Sequence, residues 1–338
     1  MSLITSSAFQ FSPAIQTRAF ISMGMLASSD VDDDLLYQML VAFKTALSNY
    51  NEKESLAMIS MLRCMYRVVP ALPPHSRYLP QLFWLAVALL ETGYVMIYAE
   101  AIQLLRATVD QMNADKEFER KGIAVTLMEA RTSLEAISTQ LDNLLSLSFH
   151  TSFHFSLAAI IFKGVRHSGL NDLASNALRS LLRATVQNCG DPTGHESPTR
   201  HDPICPEAIG YFLALLPLNT TPKAYNVLLV DAMVHPDYLA RSDREFDNAV
   251  SISFGLLGVR DRQTALLVAS FVSAMLQTAQ GDDKETEMLY HILSEMAHYH
   301  PETIGITYVF LSSIYLHLSN DYGSVGLIAS RRSLEMRS

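Results

Sequence analysis

Along most of this chain apolar side chains return every three to four residues, and period-2 alternation is almost absent. That rhythm predicts one α-helix after another. In "FSPAIQTRAFISMGMLAS" Ser12 stands as an N-cap and Pro13 occupies the first helical position, with Ile15, Ala19, Ile21, Met23 and Leu26 forming a wide apolar surface. "DVDDDLLYQMLVAFKTALSNY" places Asp30, Asp32, Asp33 and Asp34 in a first turn, where carboxylates suit the positive helix end. Further helices are expected near 53–69, 78–91, 94–113, 117–148, 153–167 and 169–188, then near 204–216, 222–233, 262–279, 283–299 and 302–319.

Two stretches break the rhythm. "NCGDPTGHESPTRHDP" (188–203) carries three prolines and no large apolar residue and reads as an exposed loop. "HPDYLARSDREFDNAV" (235–250) is charged and weakly periodic, a second loop or connector. About a dozen helices of similar length, apolar nearly all round and joined by short turns, fit an all-α, HEAT/armadillo-like α-solenoid. Residues 1–187 form one run of repeats, 188–203 the loop, 204–320 the continuation of the same array, and 321–338 a disordered tail.

Composition supports a large core: hydrophobic residues make up 49% and charged residues 17%. The net charge of −9, with no run of Lys and Arg along the chain, speaks against nucleic acid as a partner. Cys64, Cys189 and Cys205 are too few for a disulfide framework and fit a reducing compartment. "MSLITSSAFQFSPAIQ" lacks the features of a signal peptide. The longest strongly apolar run, "LFWLAVALL" (82–90), is far short of the roughly 20 residues a bilayer requires, so a buried helix is expected and no transmembrane segment.

The P-loop, the dinucleotide-binding glycine pattern, the H-E-x-x-H zinc motif and the G-x-S-x-G nucleophile motif are all missing from the chain. No catalytic residue and no cofactor is assigned. His150 and His154 fall four residues apart and would share a helical face with Leu157, Ile161 and Val165. Without a third ligand nearby, they are expected to be inward or rim imidazoles bonded to a neighbouring helix. Cys189, His195, His201 and Cys205 make a C-x5-H-x5-H-x3-C run, with ligand types that zinc prefers but at no familiar spacing. A surface loop is the expected reading, with a zinc clip as the alternative. Cys64 lies between Arg63 and Arg67, which could depress a thiol pKa, although its Met-rich setting favours core packing. Phe83, Trp84, Tyr94 and Tyr98 are expected between packed helices, and Asn219-Thr220-Thr221 matches a glycosylation acceptor.

Three blocks also carry a family resemblance. "FSPAIQTRAFISMGML" (11–26), "LPQLFWLAVALLE" (79–91) and "LDNLLSLSFHTSFHFSLAAIIFKGVRH" (141–167) resemble segments of the C-terminal helical region of the neurofibromin family, which includes the fungal inhibitory regulators of Ras. Weaker similarity follows at 207–218 and 263–302, so the likeness covers nearly all of 8–320. It implies a non-catalytic scaffold segment of a large Ras GTPase activator, supporting dimer and partner assembly and negative regulation of Ras signalling. The activating module would lie outside these residues, so no arginine here inherits its role. The implied partners are a second copy, other segments of the parent protein and, through the absent module, the Ras pathway. The implied location is cytoplasmic, with a peripheral membrane position through the parent. His150 and His154 stand where animal members of that family carry asparagine. An unrelated HEAT-repeat transport or assembly adaptor, and a zinc-dependent enzyme built on the 189–205 loop, are the competing readings.

Overall fold

The computed structural model describes residues 2–9, 12–27, 31–48, 55–131, 139–140, 142, 148–188, 206–218, 262–278 and 283–305. Every regular element among them is helical, and no strand occurs there. Twelve α-helices follow in order: α1 Ser2–Ala8, α2 Pro13–Leu26, α3 Asp33–Ser48, α4 Ser55–Val68, α5 Leu79–Leu89, α6 Val95–Ala114, α7 Gly122–Arg131, α8 Phe149–Val165, α9 Asn171–Gln187, α10 Ile209–Leu215, α11 Arg262–Thr278 and α12 Asp283–Tyr299.

Most of the expected helices are present within a residue or two. Pro13 opens α2 as read from the sequence, and Ser12 holds the cap position with an extended backbone but makes no side-chain cap bond. At α3 the capping carboxylate is Asp32, whose Oδ1 accepts the Leu35 N–H at 2.8 Å, while Asp33 and Asp34 fill the first turn. α1 was not signalled, because seven residues carry too little periodicity to be read. The expected helix from 117 begins later, at Gly122. Residues 115–121 form turns in which Lys116 takes a left-handed φ of 61° and Phe118 is fully buried. The expected helix at 222–233, the loops at 188–203 and 235–250, and the tail lie wholly or almost wholly outside the described residues.

The chain divides into two compact units, the first running through Leu215 and the second containing α11 and α12, which pack on each other. In the first unit α2, α4, α6 and α9 lie side by side, each packed on the next. α1 packs on α2, α3 on α4, α5 on α6, and α8 on α9, so each member of the row carries a second helix. α10 packs on both α8 and α9, and α7 bridges α5 and α8. A helix with neighbours on several sides needs apolar residues around most of its circumference. α4 meets that demand with Ala57, Met58, Ile59, Met61, Leu62, Cys64, Met65 and Val68 all buried. The run predicted as a buried helix is α5, whose Leu82, Phe83, Trp84, Ala86, Val87 and Leu89 lie in the core.

Glycines permit close approach between helices, among them Gly24 and Gly164. A Cβ at Gly24 of α2 would lie 3.1 Å from the Cys64 Cα of α4. A Cβ at Gly164 of α8 would lie 2.8 Å from Cε1 of Tyr98 on α6. The Tyr98 hydroxyl fits there because its polar atom is satisfied. It accepts the Gly164 N–H at 3.0 Å and donates toward the Ile160 and Ile161 carbonyls, both at 3.1 Å. Burial pushes the Tyr98 phenol well above its ordinary pKa, so it keeps this donor. Gly164→Ala should therefore lower stability by about 1–3 kcal/mol through overpacking, read as a reduced urea midpoint at unchanged m-value.

Candidate functional site

Two buried polar side chains, Arg131 and His154, lie among the packed helices α5, α7, α8 and α10. Arg131 closes α7 and is only 4% exposed. Its Nη1 and Nη2 donate to Asp142 Oδ2 and Oδ1 at 2.8 and 2.5 Å, a two-pronged guanidinium–carboxylate pair. The guanidinium carbon lies 4.3 Å from the Trp84 ring centre and 4.9 Å from that of Phe149. Trp84 meets Phe83, Phe149 and Phe153 edge-on, with centroids 5.2–6.2 Å apart. Its indole N–H donates to the Leu127 carbonyl at 2.9 Å. The arrangement holds a buried cation between two ring faces and a carboxylate, which is how such a charge becomes tolerable away from water.

Next to it, a turn at Pro206–Ala208 and α10 supply the partners of one predicted histidine. His154 is buried, and its Nδ1 lies 3.0 Å from the Tyr211 hydroxyl. Tyr211 is fully buried and its phenol pKa is raised well above normal by desolvation, so the phenol keeps its proton. His154 Nε2 stands 3.6 Å from Glu207 Oε2, beyond hydrogen-bond distance. The His154 imidazole holds the Glu207 carboxyl below its usual value, outweighing the opposing effect of desolvation. Gly210 lets α10 close on α8, since a Cβ there would lie 3.3 Å from the His154 carbonyl oxygen.

The expected inward histidine bonded to a neighbouring helix is thus found at His154. His150 differs: it is exposed, and the two do not share a helical face. Ser152 takes φ −145° and ψ 45°, kinking α8 between them and breaking the four-residue register. His167 is also exposed and accepts the Gly169 N–H through Nδ1. Cys189, His195, His201 and Cys205 lie outside the described residues, as does Asn219. Among the described residues no group of three metal-ligating side chains converges. Cys64 lies in the core, and burial drives its thiol pKa up to about 12 against the smaller opposing pull of Arg67. The thiolate that a reactive cysteine requires is therefore suppressed. Of the aromatic series, Phe83, Trp84 and Tyr98 lie between helices as expected, whereas Tyr94 is 46% exposed at the head of α6.

Arg131, Asp142, Glu207 and Tyr211 were not singled out from the sequence. Their one visible signal was chemical: a lone tryptophan in an apolar helix requires a hydrogen-bond partner somewhere in the fold. Collectively these groups tie helices together, and no nucleophile with its base is found among them. This is the geometry of a packing centre in an all-helical protein.

Residues 80–195 match the sequence model of the cell morphogenesis C-terminal family. The matched stretch begins in α5 and ends beyond α9, so it contains the Trp84–Arg131 centre and two of the four helices of the side-by-side row, α6 and α9. This finding overturns the neurofibromin-family resemblance, and with it the reading as a Ras-regulating dimer scaffold and its implied parent protein. The reason for the misreading is physical. Two of the three blocks that carried it fall almost wholly inside 80–195, and their distinctive residues, Phe83, Phe149 and Phe153, are the rings packed around Trp84. Such blocks record what tight helix packing demands, a requirement shared by unrelated helical arrays. No described helix is long and apolar enough to cross a membrane.

Arg131→Ala should cost about 3–5 kcal/mol, because it leaves the part-buried Asp142 carboxylate, 12% exposed, without its partner. Arg131→Met with Asp142→Leu should recover part of that loss in chemical denaturation. A second outcome follows from Glu207, whose folded-state pKa is depressed. Its contribution is fully present above the ordinary glutamate value of about 4.3 and is lost as pH falls through the lower folded value. Glu207→Gln should flatten that acid-side fall in thermal midpoint.

Proposed function

We propose that this chain is a non-catalytic helical scaffold that serves cell morphogenesis by binding other proteins. The observation that carries the reading is the match of residues 80–195 to the cell morphogenesis C-terminal family. The architecture supports it. Four paired helices, α1/α2, α3/α4, α5/α6 and α8/α9, with their second members in a continuous row, are what a HEAT-like α-solenoid requires. We read 1–187 as one run of such pairs and 204–320 as its continuation, with 188–203 as an exposed loop between them. Proteins of this design act through extended surfaces made by many helices. Cysteine usage supports a cytoplasmic place of action.

The test is genetic. Deleting codons 80–195 in the source organism should produce cells of altered shape, scored by microscopy against a strain carrying the intact gene. Normal shape in cells shown to lack the region would overturn the reading.

A further inference from the structure

The row α2–α4–α6–α9 brings together charges that are scattered in the sequence. On α4, Arg63 and Arg67 are one turn apart and both partly exposed. On α6, the next helix, Arg106 lies on the solvent side with Asp110 as its neighbour, 3.4 Å away. On α9, the helix after that, Arg179 is half-buried and Arg183 exposed, again one turn apart. The seams between the helices show that these faces are continuous. Arg63 of α4 reaches Glu100 of α6 across one seam, and Asn113 of α6 bonds Gln187 of α9 at 2.9 Å across the other.

Only part of this charge is neutralised within the fold. Arg63 is spent on the buried Glu100, and Arg106 leans on Asp110. Among the described residues Arg67, Arg179 and Arg183 face no carboxylate. Two like charges at i and i+4 repel on an isolated helix, so the Arg179–Arg183 pair weakens α9 unless something else compensates. All of this sits on a chain whose net charge is −9. A basic patch on an acidic protein is a local feature, suited to an acidic group delivered on a partner. The overall charge disfavours long polyanions such as nucleic acid.

We propose that the exposed face of α4, α6 and α9 binds an extended acidic protein segment, with the Arg179–Arg183 pair as its strongest anchor. Arginine suits the task because its planar fork grips carboxylates with two bonds. Packed helix axes are about 10 Å apart and an extended chain advances about 3.3 Å per residue, so roughly every third residue of the segment meets a new helix. The preferred ligand therefore carries Asp or Glu at every third position. This deepens the reading of the chain as a binding scaffold and rests on it.

The experiment is a fluorescence-anisotropy titration of the full chain with a labelled peptide of about nine residues carrying Glu at every third position, against its Gln counterpart. The Glu peptide should bind, the Gln peptide should not, and Arg179→Gln with Arg183→Gln should weaken binding about tenfold or more. Arg120→Gln, on an exposed turn away from the row, should leave binding unchanged. The double variant should unfold at the same temperature or higher, because it relieves repulsion; a lowered midpoint would mark the arginines as structural and overturn the assignment. So would undiminished peptide binding by the double variant, no binding of the Glu peptide at all, or tighter binding of an RNA oligonucleotide that the same substitutions abolish. Any of these outcomes leaves the cell-shape test of the wider reading standing.

Discussion

A guanidinium with 4% exposure must be fully compensated, and the first unit is arranged so that Arg131 is. The Asp142 carboxylate takes both ends of its fork, while the Trp84 and Phe149 rings lie 4.3 and 4.9 Å from its central carbon. Each partner comes from a different segment. Satisfying one cation therefore fixes α5, α7 and α8 relative to one another, together with the residue at 142. The indole N–H bond to Leu127 adds a second constraint between α5 and α7. Buried charge of this kind contributes little net stability but penalises every arrangement that leaves it unpaired. The aromatic cluster then packs around a centre whose geometry is already set.

From there the packing spreads by shape. His154 and Tyr211 continue the cluster to α10, and Gly210 removes the side chain that would hold the two backbones apart. On the other side Tyr98 seats α8 on α6 through Gly164. Because α6 also packs on α4 and α9, it joins the polar centre to the outer row. The family match, residues 80–195, takes in α6, α7, α8 and α9 of this assembly and ends before α10.

The polar centre faces inward and is consumed by packing. The arginines of the outer row span more than a hundred residues of sequence, from Arg63 on α4 to Arg183 on α9. That distance explains why no basic run was visible along the chain. It also explains the weakness of short apolar blocks as family markers. "LFWLAVALLE" and "FHTSFHF" were legible as packing residues, which they are, but packing is a demand that many helical proteins share.

By itself the sequence determined the helical class, most helix positions and the burial of α5, because apolar periodicity and capping act over a few residues. It also determined that His154 would turn inward. Only the tertiary structure decided that His150 would not follow it, since the kink at Ser152 changes the register between them. Tertiary structure likewise paired Arg131 with Trp84 and Asp142, His154 with Tyr211 and Glu207, and made α4, α6 and α9 successive neighbours. Those associations depend on which helices become neighbours, a choice made by the fit of whole side-chain surfaces that no local spacing encodes.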